Sequence, residues 1–193
     1  CEGVYTGEEK QQVLETLLDN TSMNAIWAKC VKRGCIDSDR DYSPLYSVSS
    51  GEDLLQTLPI FDRAESIAII HTPLYNYMQN SQSITQGKYL ERHISSTFLV
   101  FRELGTYVQK WNLSQEAYNQ RMGLSVLYTI KQLIRRRLGP GAYTEKERLD
   151  ILNRLQQQDI KSILPEYSSK GRPLSLQICY YFFSRGKERL FSW

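Results

Sequence analysis

Two short stretches of this 193-residue chain have the make-up of β-strands, and nearly everything else that is periodic has the spacing of a helix. Residues 66–71, SIAIIH, are apolar and β-branched, which predicts a buried strand. Residues 73–78, PLYNYM, alternate Leu74, Asn76 and Met78 against Tyr75 and Tyr77, which predicts a second strand. Two strands alone make a poor sheet. The pair therefore reads as the edge of a larger α/β layer, within a chain that is α+β and mostly helical.

The helical spacing supports a two-part organisation. Val13, Leu14, Leu17 and Leu18 form one face over residues 7–19, with acidic residues at its start. Ile26, Trp27, Cys30 and Val31 predict a short helix over 24–33, stopped at Gly34. Residues 34–50 lack a period and read as a loop. Leu54, Leu55, Leu58 and Phe61 predict a helix over 51–64, with Pro59 as a kink. Helices are then expected over 86–111 and over 114–138, the second stopping at Gly139-Pro140-Gly141. Thr144 and Glu147 form a capping box for a helix running to about Gln158. The last helix, within 173–192, carries Leu174, Ile178, Tyr181 and Phe182. We expect residues 1–85 to form a mixed α/β part and residues 86–193 a helical bundle.

Bulk properties exclude several classes. A net charge of +3, from 24 basic and 21 acidic residues, is too mild to argue for nucleic acid. No apolar run reaches the ~18 residues of a membrane span, and no signal peptide is visible. Cys1, Cys30, Cys35 and Cys179 form no CxxC pair and have no histidine at zinc-site spacing. We expect four free thiols in a reducing compartment. The chain opens CEGVYTGEEK, with Cys rather than Met, so we expect processing or excision from a longer protein.

Three groups of residues could carry chemistry. In the first, Ser50-Gly51-Glu52-Asp53, Ser50 is an N-cap candidate with Asp53 three residues on. As a simple cap the step is worth roughly 0.5–2 kcal/mol. As chemistry, a carboxylate at a helix start can take a proton from a hydroxyl nucleophile. In the second group, Asn24, Trp27, Lys29 and Arg33, Trp27 is either core or cleft, and the cations are either solvated or set near an anion. In the third, Tyr75 and Tyr77 either pack as a strand face or stack on a ring ligand. His71 and His93 pair with no nucleophile, and no phosphate loop, GxSxG or HExxH occurs. Arg135-Arg136-Arg137 suit a helix C-terminus or an anionic membrane surface.

The order of these groups resembles the second half of the catalytic domain in family-two bacterial glycosyltransferases, the branch that builds capsule, exopolysaccharide and cell-wall glycans. Trp27 and Lys29 match its tryptophan-lysine motif, and Glu52 and Asp53 its ED motif. Leu74, Tyr75, Tyr77, Gln79, Ser83, Ile84 and Thr85 match its terminal LYYYRQRPGSIT-like segment. The likeness covers about residues 8–85. It implies a partial GT-A-like α/β half followed by a helical C-terminal region. It also implies inverting transfer of a sugar from a nucleotide-sugar to a glycan or lipid-linked acceptor. Asp53 takes the role of base beside Glu52, and Trp27, Lys29, Arg33, Tyr75 and Tyr77 shape the cleft. A divalent metal, Mg²⁺ or Mn²⁺, neutralises the leaving diphosphate in that family. The implied setting is the cytoplasm, at the inner face of the membrane.

The chain also departs from the family. No Asp-x-Asp precedes Trp27, and Asp37-Ser38-Asp39 follows it, so no metal ligand is assigned. Met78 and Asn80 stand where arginine is usual, and Gln82 where glycine is. The resemblance therefore implies the acceptor-side part of a longer enzyme, inactive without its donor-binding half. The alternative is a non-catalytic helical interaction module. A large exposed apolar face near residues 54–77 favours the first reading, and a mostly polar surface the second.

Overall fold

The computed structural model describes residues 2–19, 21–48, 50–76, 78, 90–135, 143–157, 170–185 and 187. Among them are two strands, β1 (Gly3–Thr6) and β2 (Ser66–Ile69). The six α-helices are α1 (Gly7–Asp19), α2 (Glu52–Arg63), α3 (Leu90–Lys110), α4 (Gln115–Arg135), α5 (Glu145–Gln157) and α6 (Leu174–Phe183). The fold is α+β and mostly helical. It divides into two compact units, one ending at Gln115 and the other starting at Glu116.

The first unit is built around α1, α2 and α3. α1 and α2 bury the stripes that their spacing predicts: Val13, Leu14, Leu17 and Leu18 on α1, then Leu54, Leu55, Leu58 and Phe61 on α2. On α3 the stripe is Val100, Phe101, Leu104 and Val108, and α3 packs against α2. The first unit therefore continues past the expected division at residue 85. At the far end of α2, Asp62 accepts from the Trp111 indole at 3.0 Å and from Lys110 at 2.7 Å.

No sequence pattern predicts β1. It pairs antiparallel with β2 in the register Gly3↔Ile69, Val4↔Ala68, Tyr5↔Ile67 and Thr6↔Ser66. Alternation sets which side of the pair is buried. Ile67 is buried on the side facing α1, while Val4 and Ala68 point outward and are exposed. β2 is thus half-buried rather than the fully buried strand its composition suggests.

Other local expectations shift as well. Residues 73–76 are irregular, not a second strand, and Tyr77 and 79–85 lie outside the described residues. Pro73 lacks the N–H that a ladder requires. Residues 24–33 form no α-helix. They make short 3₁₀ turns, Thr21–Asn24, Ile26–Ala28 and Arg33–Cys35, with extended backbone at Lys29 and Lys32. Gly34 sits inside the last of these turns instead of closing a helix.

The second unit comprises α4, α5 and α6. α4 buries Met122, Val126, Leu127 and Ile130, α5 buries Ile151 and Leu152, and α6 buries Leu176, Cys179 and Phe183. The capping box forms as its spacing predicts. Thr144 N–H donates to Glu147 Oε2 at 2.7 Å, and Glu147 N–H donates back to Thr144 Oγ1 at 3.3 Å. Gln158 and residues 136–142 lie outside the described set, as do Arg136 and Arg137 of the basic run.

Candidate functional site

The site is built where the irregular segment 21–37 lies on α2. An irregular segment needs partners for its backbone polar groups, and α2 supplies them. Asp53 Oδ2 accepts the Ile26 N–H at 3.2 Å. Thr57, fully buried, donates its hydroxyl to the Asn24 carbonyl at 3.0 Å. Arg63, at the last turn of α2, pairs with Asp37 at 2.6 Å. Three side chains on one helix thus hold a strip of chain that has little regular structure.

Asp53 is not part of an N-terminal cap. Gly51, rather than Ser50, stands at the cap position, with φ 87° and no side-chain cap bond. The left-handed backbone there suits glycine. A Cβ on Gly51 would also lie 2.7 Å from Val100 Cγ2 of α3. With the helix entry fixed this way, the Asp53 carboxylate is turned across to Ile26, the neighbour of Trp27.

Lys29 and the aromatic residues complete the group. The Lys29 ammonium donates to the carbonyls of Met23 and Ala25, both at 2.7 Å, and lies 5.7 Å from the Phe61 ring centre. Burial pushes its pKa down from 10.5 to about 8, and the nearby Asp53 charge opposes that shift. Trp27 and Tyr75 meet with ring centroids 5.2 Å apart and planes at 31°. Trp27 remains 46% exposed and Tyr75 57% exposed, so the pair is an open aromatic surface and not core.

Four of the seven site residues expected from the sequence therefore come together: Trp27, Lys29, Asp53 and Tyr75. Glu52 is half-buried in the first turn of α2, where its carbonyl accepts from Gln56. Arg33 is exposed, and no described ion pair or ring contact ties it to Asp53. Tyr77 lies outside the described residues. Thr57 escaped the sequence reading. Its signal was a hydroxyl on the buried face, three residues after Leu54 and four before Phe61.

Among the described residues no three His, Cys, Asp or Glu side chains gather as a metal site. Cys30, Cys35 and Cys179 are free, and burial raises the pKa of the Cys179 thiol. No described helix is long and apolar enough to cross a membrane. No known protein family matches this chain, and no curated protein and no solved structure shows detectable similarity to it.

Proposed function

We propose that this chain is the acceptor-side part of an inverting, GT-A-like glycosyltransferase of the polysaccharide-building type, with Asp53 as its base. The observation that carries the reading is the convergence of Asp53 with Trp27, Lys29 and Tyr75, which come from three separated stretches of sequence. An open aromatic surface beside a carboxylate suits a sugar ring. The C–H face of a pyranose stacks on an aromatic face, and its hydroxyls reach polar neighbours. Val4, Ile70 and Leu74 are exposed apolar side chains on the surface of the first unit. Residues 54–61 do not join that surface, since their apolar side chains are buried.

In the proposed reaction, the Asp53 carboxylate removes the proton from an acceptor hydroxyl. The hydroxyl oxygen attacks the anomeric carbon from the face opposite the nucleotide. The bond from that carbon to the diphosphate oxygen breaks, and the nucleoside diphosphate leaves with the electron pair. Asp53 Oδ2 stays fixed by Ile26 N–H, which holds the carboxylate in position. Trp27 and Tyr75 orient the acceptor ring. Lys29 keeps positive charge near Asp53. The residues described here do not fit the family's metal, so no step is assigned to one. The donor, a nucleotide-sugar, is held by a part of the protein that these residues do not form. The glycan or lipid-linked acceptor is met in the cytoplasm, at the inner face of the membrane.

Asp53→Asn tests the reading, because Asn keeps an oxygen for the Ile26 N–H but cannot take a proton. In the protein that joins this chain to its donor-binding half, sugar transfer should fall about 10²–10⁴-fold with little change in thermal midpoint. Near wild-type transfer by Asp53→Asn would sink the assignment. One observation favours a second reading, a non-catalytic interaction module: the Asp53 carboxylate already serves a structural bond. On that reading Asp53→Ala costs about 1–2 kcal/mol of stability and Asp53→Asn changes nothing measurable.

A further inference from the structure

α6 is apolar on two opposite sides. One side buries Leu176, Cys179 and Phe183 in the second unit. The other presents Leu174, Ile178 and Tyr181, which are 70%, 44% and 50% exposed. These three recur at i, i+4 and i+7, so they stand in one row along the helix. Arg185, just past the helix end, continues the row and lays its guanidinium 3.9 Å from the Tyr181 ring centre. Rows of this kind on a protein surface mark a contact.

The charges around the row say what it contacts. Lys170 and Arg172 precede the helix, Arg185 and Lys187 follow it, and all four are exposed. No Asp or Glu occurs from 167 to 187; Glu166 and Glu188 bound that stretch. A second copy meeting this face symmetrically would set these cations against their own kind. An anionic bilayer satisfies both features. Apolar side chains enter the acyl boundary, tyrosine settles at the interface, and lysine and arginine reach the headgroup phosphates.

We propose that α6 lies on an anionic bilayer surface, with Leu174, Ile178 and Tyr181 at the acyl boundary and Arg172, Arg185 and Lys187 on headgroup phosphates. The inference rests on α6 and its flanks alone, independently of glycosyl transfer. No described helix is long and apolar enough to cross a membrane.

The test is co-sedimentation of the chain with vesicles of phosphatidylglycerol and phosphatidylcholine, against vesicles of phosphatidylcholine alone. Binding is expected only to the anionic vesicles and should weaken as salt rises. Leu174→Glu with Ile178→Glu should abolish it without altering far-UV circular dichroism, since both side chains face solvent. Arg172→Gln with Lys187→Gln should weaken it about 10- to 30-fold, at about fivefold per charge. Absence of binding to anionic vesicles overturns the proposal. So does equal binding to both vesicle types, or binding that the double glutamate variant retains. Self-association that the double glutamate variant loses, with no vesicle binding, would assign the face to a second copy instead.

Discussion

α2 and α5 both begin with a carboxylate in their first turn, and the two use it in opposite ways. At the start of α5, Glu147 reaches back three residues to Thr144, and each side chain serves the other's backbone N–H. At the start of α2, Asp53 ignores its own helix and accepts from Ile26, 27 residues earlier. The first arrangement closes on itself and would form in any context that allowed the helix. The second holds a distant segment and presents a charged group beside Trp27. A carboxylate spent on its own cap is structural. One directed away from its helix is available to organise a site.

The largest expected effect comes from forcing α2 to begin differently. Gly51→Ala adds a Cβ where φ is 87° and Val100 Cγ2 lies 2.7 Å away. Left-handed strain and overpacking together should cost about 2–4 kcal/mol, read from chemical denaturation. Adding Val100→Ala should recover the overpacking part, a coupling that a double-mutant cycle isolates. A cost below about 0.5 kcal/mol, within the range of a neutral surface change, would mean that α3 does not press on the start of α2.

Next comes the buried partner of the irregular segment. Thr57→Val keeps the shape and deletes the hydroxyl that serves the Asn24 carbonyl. The expected loss is about 1–3 kcal/mol, with faster amide exchange at Ile26 in the same segment. If exchange at Ile26 is unchanged, α2 does not hold that segment through Thr57.

The capping box supplies the contrast. Thr144→Ala should cost about 1 kcal/mol and fray only the start of α5. Amide exchange at Ile26 should stay as it was. A change there would break the distinction between a self-contained cap and a long-range one.

This distinction also explains what could be read from the sequence. Apolar stripes on α1, α2 and α3 repeat every three or four residues, and a local period survives without knowledge of the fold. The Thr144–Glu147 box was legible for the same reason. β1 was not, because four residues reading GVYT have no period long enough to see, and their partners lie sixty or more residues away. Residues 24–33 misled because Ile26, Trp27, Cys30 and Val31 have helical spacing. Yet Trp27 turns out to Tyr75, and Ile26 N–H turns to Asp53. Trp27, Lys29, Asp53 and Tyr75 were each identifiable as residue types. Their meeting was not, since it depends on contacts between stretches that carry no shared pattern.

The smallest effect is the one closest to the proposed chemistry. Burial lowers the Lys29 pKa from 10.5 to about 8, against the pull of Asp53. The unfolded chain therefore binds this proton up to a higher pH than the folded one. Between about 8 and 10.5 the Lys29 contribution makes stability rise with pH, and below about 8 its burial penalty is present in full. Carbon-13 shifts of the lysine side chains should show Lys29 turning near pH 8, apart from the exposed lysines. Asp53→Asn removes the opposing charge and should move that midpoint lower still. If Lys29 titrates with the other lysines, its ammonium is solvated. Asp53 then stands without a buried cation beside it, and the two helix starts differ less than their hydrogen bonds suggest.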